Sequence, residues 1–520
     1  MVGLLSDVFS FWNAVHRERR VLMFLRRASH WLGCLTHGGF GLDVLKLAGG
    51  TTTAQAITLL SLPILARLYA PEAFGTAGLF TSLVTIVAVI ACLRYEFAIM
   101  LPTSDEEAAN VFAIAFVIPL LFGVLGAIFL VFAGNELVTL LNAPALLNYL
   151  WLLPIALWLA GMYQALNYWN SRSKRFGRLS VALVGASATS TTLQLTAGVA
   201  GQATAGGLIV GSTAGTAVAT GALGIQIWRD QSRLLRDSIR PHRMRQNLLR
   251  FRKFPLVDSW GALVNNLAWQ MPLLLLSVFF TQTIVGYYAM AFRTIQLPMA
   301  LIGISIGQVF YQRASVARND PEALSSVVLS VFDKLVVIMM IPGIFLTILG
   351  QDLFTVVLGK QWAEAGFYVQ LLGPWTLVWF IASPLSSLFS VLEYQGRALV
   401  VHLLVLLSRT AALVIGGVNQ NIELVLLLFS ASGILVYGGV LVWVMKLSGV
   451  PIRAVLDVLL RHGRYGLLFA ATILAIKWFG GSHSILVLLA SAGLAALYYL
   501  WMFRRSLIQK TMYQSFEQVK

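Results

Sequence analysis

Arg293 stands in the run TIVGYYAMAFRTIQLPMALIGISIGQVFYQRAS, which begins at Thr283 and is apolar for most of its length. Nine or ten residues into a helical span, at about 1.5 Å per residue, it lies roughly 15 Å deep, near the middle of a ~30 Å hydrocarbon layer. A guanidinium at that depth costs about 2.5–3.5 kcal/mol or more on insertion scales, so it must face a cavity or a partner. Helical spacing puts Gly286, Ala289, Gln296, Ala300, Gly303 and Gly307 near its face, and Tyr288, Phe292, Ile295 and Met299 on the bulky side. Small residues around a buried cation leave room for an anion. The alternative is a salt bridge to a neighbouring helix, with Glu96 or Asp258 as the partner.

Other polar residues in apolar surroundings carry the same two readings. Arg67 ends the first span, where snorkelling to the surface is the simpler account. Arg94 and Glu96, in LRYEFAIMLP, sit at the end of the second span and suit an internal ion pair as well as a ligand contact. Arg409 lies inside LLSRTAAL with His402 seven residues earlier on the same face, lining a cavity or joining helices. Asp258 opens a span that carries Asn265, Asn266 and Gln270 as a polar stripe. That stripe could bind sugar hydroxyls or a coupling cation, or only neighbouring helices.

These residues need a scaffold, and composition names it. Of 520 residues 58% are hydrophobic and 11% charged, where a soluble chain carries roughly 25% charge. Apolar runs long enough to span a bilayer recur from about residue 44 to residue 503. They are continuous rather than alternating, which selects helices over a closed barrel. The fold class expected is an all-α polytopic membrane protein with about fourteen spans. No large soluble domain fits between them.

The net charge of +16 is unevenly placed. SRSKRFGR (171–178) and RDQSRLLRDSIRPHRMRQNLLRFRK (229–253) are rich in Lys and Arg, whereas the alternate loops 135–148, 201–204 and 279–283 hold none. The positive-inside rule then puts the basic loops and both termini in the cytoplasm. The basic balance is thus a topology signal, and no nucleic-acid partner is expected. The 229–253 segment is expected to lie on anionic lipid headgroups. Cys34 and Cys92 are the two cysteines and imply no disulfide framework.

The long basic segment follows six spans. The expected organisation is an extension over 1–42 lying on the cytoplasmic membrane surface, an N-lobe over 43–228, a basic linker over 229–255, a C-lobe over 256–446, two further helices over 447–503 and a tail over 504–520. PILARLYAPEAFGTAGLFTSLV, from Pro63, and PLLLLSVFFTQTIVGYYAMAFRTI, from Pro272, share a proline, an apolar run, a short loop and a glycine (Gly75, Gly286) opening the next helix. Such a parallel repeat implies two six-helix lobes related by a pseudo-two-fold axis along the membrane normal, with a site between them near the midplane.

Enzyme signatures are weak. GISIG (303–307) fits G-x-S-x-G but lies inside an apolar helix rather than a strand-to-helix elbow. Neither H-E-x-x-H nor C-x-x-C occurs, so no metal site is expected. GLIVGSTAG (Gly207, Gly211, Gly215) has the small-xxx-small spacing of close helix packing. The longest far-side loop, about 351–365, holds only Asp352 and Glu364 as acids, which argues against a membrane glycosyltransferase or ligase.

LKLAGGTTTAQAITLLSLPILARLYAPEAFGTAGLF and CLRYEFAIMLPTSDEEAANVFAIA resemble the opening of the Wzx-type polysaccharide flippases. These belong to the multidrug/oligosaccharidyl-lipid/polysaccharide (MOP) superfamily, with peptidoglycan-precursor flippases and multidrug extruders. YYAMAFRTIQLPMALIGISIGQVFYQRAS resembles that superfamily's eighth helix, and SPLSSLFSVLEYQGR (383–397) the inner end of its tenth. The resemblance spans about residues 43–450. It implies transport of undecaprenyl-diphosphate-linked oligosaccharide across a bacterial plasma membrane, alongside membrane lipids and other glycan-assembly proteins. In related peptidoglycan flippases, arginines of the first, second and eighth helices line a cationic cavity. Arg293 matches the eighth-helix arginine within its motif; Arg67 and Arg94 match by general location. The substrate-binding set is then Arg293, Arg67, Arg94, Arg409, Gln296, Asn265, Asn266 and Gln270, with Asp258 and Glu96 as candidates for ion coupling. No cofactor is expected, and membrane potential, protons and sodium all remain open as the resetting force. Some relatives bind a cation in the second lobe, but no residue here matches that motif. A multidrug exporter of the same fold is the competing reading; its cavity should favour acidic residues.

Overall fold

The computed structural model describes residues 39–480 and 484–517. The expected membrane-lying extension and Cys34 fall outside them, apart from residues 39–42, which open the first helix. Fourteen long helical segments run back and forth across the molecule. The first six are α1 Gly39–Leu68, α2 Pro71–Ala88, α3 Asp105–Leu140, α4 Leu153–Arg172, α5 Phe176–Val199 and α6 Ala205–Ser238. The next six are α7 Ser259–Phe279, α8 Gln282–Ala317, α9 Pro321–Val357, α10 Ala363–Leu385, α11 Gln395–Val418 and α12 Ile422–Leu447. Last come α13 Ile452–Gly480 and α14 Ser484–Glu517. Among the described residues, ten segments are long and apolar enough to cross a membrane by length and composition alone. No strand occurs among the described residues, because only helices and closed barrels satisfy their backbone in lipid.

One end of the bundle collects the basic segments 171–178 and 229–253 and both described chain ends; we call it the basic face, and its opposite the far face. Two helix starts on the basic face are capped by side chains. Ser104 accepts from the Glu107 amide at α3, and Asp320 accepts from the Glu322 and Ala323 amides at α9. Asp105 and Glu107 in the first turn of α3 also pair with Arg172 and Arg250, and a helix N-terminus favours such carboxylates. The basic segment is largely helical. α6 continues to Ser238, and a short helix, Pro241–Arg250, packs on α3 with most of its Arg side chains exposed.

The repeat read from the two proline–glycine stretches extends to the whole architecture. α1 packs on α5, α3 on α4, α4 on α6 and α5 on α6; six helices later, α7 packs on α11, α9 on α10, α10 on α12 and α11 on α12. The repeat glycines meet each other across the axis, where α2 packs on α8. A Cβ on Gly75 would come 2.0 Å from the Gln282 carbonyl oxygen, and one on Gly286 would come 1.9 Å from that of Pro71. Only glycine allows this approach.

The lobes are joined on the far face and parted on the basic face. One buried cluster runs across both lobes near the far face, from Leu65 and Tyr69 through Val285 and Trp362. Toward the basic face the cores separate: Phe112, Trp169 and Leu223 belong to the N-lobe alone, Phe310, Phe332 and Phe389 to the C-lobe alone. Hydrogen bonds reinforce the far-face closure. Trp362 Nε1 donates to Ala66 O at 2.7 Å, and Gln282 Nε2 to Asn142 O at 3.0 Å. α2 and α7 also touch along one flank. Their repeat-related pair, α1 and α8, leaves Thr51, Thr52, Thr53 and Gln55 of α1 and Arg293 and Ala300 of α8 exposed. The opening is therefore lateral, between α1 and α8.

Adding a side chain at the glycine contact should force the far face apart. Gly286→Val, with spin labels at Glu72 and Thr283, should show a longer label separation than the same labels on an otherwise native chain. An unchanged separation would mean that the contact does not hold the lobes.

Candidate functional site

The rotation of α8 is set by its bulky side. Tyr288 and Ile295 are buried, and Phe292 stacks on Tyr288 at 5.4 Å and on Trp375 at 6.3 Å between ring centroids. With that side locked into the C-lobe core, Arg293 points the other way. Its side chain is exposed although protein surrounds it on most sides. No hydrogen bond, ion pair or ring contact engages it among the described residues. Gln296, one turn nearer the basic face, is half-buried beside it. A Pro298-linked π-helical turn, Met299–Gly303, follows; such turns interrupt the regular ladder and recur at functional sites. The small-residue face is only partly open: Gly286 is packed on α2, and a Cβ at Gly307 would touch Pro384 at 3.7 Å.

The acids weighed as partners for Arg293 belong to Arg94. Its Nε lies 2.8 Å from Asp258 Oδ2 and its Nη1 3.8 Å from Glu96 Oε1. The backbone arranges this. Leu93 and Arg94 take φ of 49° and 62°, a left-handed break between α2 and the short helix Tyr95–Ala98, costing roughly 1–2 kcal/mol per residue. Arg94 thereby joins the N-lobe to Asp258 at the start of α7.

The polar stripe of α7 is divided. Asn266 Nδ2 donates to Thr85 O at 2.7 Å, and Gln270 Oε1 accepts from Ser82 Oγ at 3.0 Å. These two fasten α7 to α2, whereas Asn265 is exposed and lines a separate pocket. Arg67 lies on the far-face seam, donating to Val356 O at 3.2 Å. It caps the carbonyl end of α9 across the lobes, well away from Arg293.

Arg409 and His402 meet in that separate pocket of about 250 Å³, between α7, α10, α11 and α12. Arg409 is 3% exposed. Its guanidinium carbon lies 4.9 Å from the Trp269 ring centre, 5.0 Å from Phe429 and 5.3 Å from Trp375. Nε and Nη2 have no partner. Ser383, Ser386, Ser387 and Ser390 also line the pocket. The sequence placed SPLSSLFS at the end of a helix but could not show that its serines face Arg409. A larger cavity, about 1070 Å³, lies on the flank between α8, α9, α13 and α14. Ile302, Ile306, Phe310 and Val337 line it, with Arg313 and Lys334 among its charged residues. Nothing in the sequence singled it out.

The helices thus form two six-helix lobes related by a repeat, with Arg293 exposed and unpartnered among the described residues. The chain belongs to the polysaccharide biosynthesis protein family, whose pattern residues 64–366 match. Its fold is that of the MOP superfamily. It is similar to a lipid II flippase, MurJ, in an inward closed conformation, with TM-score 0.68, 16% identity and coverage of 89% of this chain and 99% of that one. A multidrug resistance MATE transporter of the MOP superfamily is similar in its inward-facing conformation, with TM-score 0.63, 15% identity and coverage of 76% and 95%. A structure of a multidrug resistance MATE family transporter in an outward-facing conformation gives TM-score 0.53 at 15% identity, covering 78% and 96%. No curated protein matches the sequence. Among the described residues no group of three or more His, Cys, Asp or Glu could hold a metal ion.

Glu96, in the connection between α2 and α3, generates a pH prediction. It is 1% exposed and neither carboxylate oxygen has a hydrogen bond. Burial raises it to about 7, Arg94 offsetting part of the shift and Asp258 adding to it. A raised acid favours this arrangement when protonated, fully below about pH 4.5 and progressively less as pH rises through about 7. Spin labels spanning the basic-face ends of α2 and α7 should therefore move apart between pH 5 and pH 8, and Glu96→Gln should abolish the change. A pH response that survives Glu96→Gln would assign it to another group.

Proposed function

We propose that the protein is a flippase for undecaprenyl-diphosphate-linked oligosaccharide, an O-antigen or exopolysaccharide repeat unit, working by alternating access in a bacterial plasma membrane. The observation that carries this reading is Arg293: a guanidinium deep in the bundle, open and without a carboxylate, between lobes closed on the far face and parted on the basic face. A diphosphate carries about two negative charges, and an isolated ion of that kind crosses hydrocarbon only at a cost of tens of kcal/mol. Arginine stays charged when buried and presents paired donors to phosphate oxygens. The diphosphate would rest on Arg293, and the sugars would occupy the hydrated space between the lobes. The isoprenoid tail would leave through the gap between α1 and α8 into lipid. Opening of the far face and closure of the basic face would then deliver the headgroup to the other leaflet.

The basic face is the cytoplasmic one in this reading, because it concentrates the Lys and Arg side chains. A negative-inside potential favours outward movement of an anion by roughly 2.3 kcal/mol per uncompensated charge per 100 mV. Family membership and likeness to a lipid II flippase support a lipid-linked glycan as cargo. Likeness to MATE transporters favours a second reading, a multidrug exporter. Against it, Arg293 and Arg409 are cations without acidic partners among the described residues, where a carrier of cationic drugs needs free carboxylates.

Arg293→Ala should leave protein abundance near normal and stop glycan export, with lipid-linked oligosaccharide accumulating in the cytoplasmic leaflet. Arg293→Lys should keep part of the export rate, since charge remains without the paired donors. Normal export by a well-expressed Arg293→Ala chain would remove the binding role. Reporter fusions after residue 240 and at the C-terminus should both read as cytoplasmic; an external signal from either would reverse the direction of transport argued here.

A further inference from the structure

The flank cavity of about 1070 Å³ is a cleft with α9 as its floor. α8 packs on α9 from one side and α13 and α14 pack on it from the other, but α8 packs closely on neither of them. The charges of the cleft are one-sided. Arg313 of α8, Lys334 of α9 and Arg461 of α13 line it with exposed side chains, and none has an ion pair or hydrogen bond among the described residues. Asp333 also lines it but is engaged by His462, whose Nε2 lies 2.9 Å from Asp333 Oδ1. No other carboxylate lines the cleft among the described residues. The Asp333–His462 contact holds α13 to α9 and sets their sequence neighbours, Lys334 and Arg461, at nearly one height. Each of the three cations stands within about one turn of the basic-side end of an uncharged run: 294–312 in α8, 335–351 in α9 and 465–476 in α13. Hydrocarbon gives way to headgroups at such a boundary. Deeper, the walls are apolar. Ile302, Ile306 and Val309 line the α8 side, reaching roughly 16 Å beyond Arg313 at about 1.5 Å per residue. Val337 and Ile338 belong to the floor.

We propose that this cleft binds one anionic phospholipid from the leaflet on the basic face. Its phosphate rests among Arg313, Lys334 and Arg461, and an acyl chain lies along Ile302, Ile306 and Val309. Two features select this occupant. A dissolved anion would leave the apolar strip unused, and a zwitterionic lipid would leave the cations uncompensated. A lipid with a net negative headgroup answers both. Donors on three different helices suit a phosphate, whose oxygens accept charge-assisted hydrogen bonds from several directions. Basic pockets between helices at the cytoplasmic boundary take such headgroups. Tyr465 and Tyr498, with ring centres 6.1 Å apart, line the α13–α14 side, and tyrosine is favoured at the boundary between hydrocarbon and headgroups. The lipid fills the space that keeps α8 apart from α13 and α14. Since α8 also carries Arg293, it ties the wall of the central opening to the last two helices. The inference goes beyond the flippase reading and does not depend on the cargo.

Titration of the purified full chain, in a neutral detergent, with radiolabelled phosphatidylglycerol tests the site. About one lipid per chain should bind saturably, and phosphatidylcholine with the same acyl chains should compete at least about tenfold more weakly. Arg313→Gln, Lys334→Gln and Arg461→Gln should each weaken binding about fivefold, and the three together about a hundredfold. Arg243→Gln, Arg245→Gln and Arg252→Gln together remove the same charge from the exposed basic segment and should leave binding unchanged. Arg293→Ala should also leave it unchanged, separating the cleft from the central opening. Val309→Trp fills the apolar strip, keeps every cation and should weaken binding several-fold. Folding of each variant is checked by its thermal transition, and Val309→Trp decides if the triple variant of the cleft is unfolded. Absence of saturable binding, equal competition by phosphatidylcholine, displacement by millimolar inorganic phosphate, or native binding by the folded triple variant would overturn the proposal. Undecaprenyl diphosphate that displaces the label from the Arg293→Ala chain at lower concentration than phosphatidylglycerol does would assign the cleft to an isoprenoid lipid and overturn it as well. No transport is measured, so failure here leaves the flippase reading to its own export test.

Discussion

A positive charge inside a lipid-spanning bundle must be answered by water, an anion or a carboxylate, and no carboxylate answers Arg293 among the described residues. Its surroundings follow from that. α8 cannot rotate to hide the guanidinium in lipid, because Tyr288, Phe292 and Ile295 are packed on the opposite side. The open face must therefore be wet, and a wet face inside the bundle requires the lobes to part. An arginine that membrane insertion disfavours thus becomes the fixed point around which the lobes are arranged.

The aromatic residues connect the two cation sites. Tyr288, Phe292, Trp375 and Trp379 form a stacked series with centroids 5.4–6.3 Å apart. One end backs the helix of Arg293, and Trp375 also faces Arg409. A shift of α8 that moved Phe292 would have to move Trp375, since close-packed side chains leave little slack. The C-lobe wall is consequently shared between the central opening and the Arg409 pocket.

Closure uses a different chemistry on each face. On the far face, glycine against backbone gives an approach no other residue permits, and side-chain amides and Trp362 donate across the seam to carbonyls. On the basic face, one ion pair and two side-chain hydrogen bonds hold α2 against α7 while the cores stand apart. Backbone packing is rigid, whereas an ion pair beside a buried carboxyl responds to protonation. The two ends therefore differ in how they respond to pH.

Hydropathy runs, charge asymmetry and the two proline–glycine stretches were enough to read helices, lobes and repeat, because lipid imposes a length and backbone rule that local sequence must obey. The bulky and small faces of α8 were legible for the same reason: helical periodicity is local. The partners of the remaining polar residues were not. Arg94, Asn266 and Gln270 looked like site residues, yet they hold α2 to α7, and Arg67 caps α9 across the far-face seam. Asn265, next to Asn266, points instead into the pocket of Arg409. Sequence could put each residue on a helix face, but which helix stood opposite depended on contacts between segments more than a hundred residues apart. The left-handed break at Leu93 and Arg94, which turns Arg94 toward Asp258, is set by that packing and leaves no glycine to mark it.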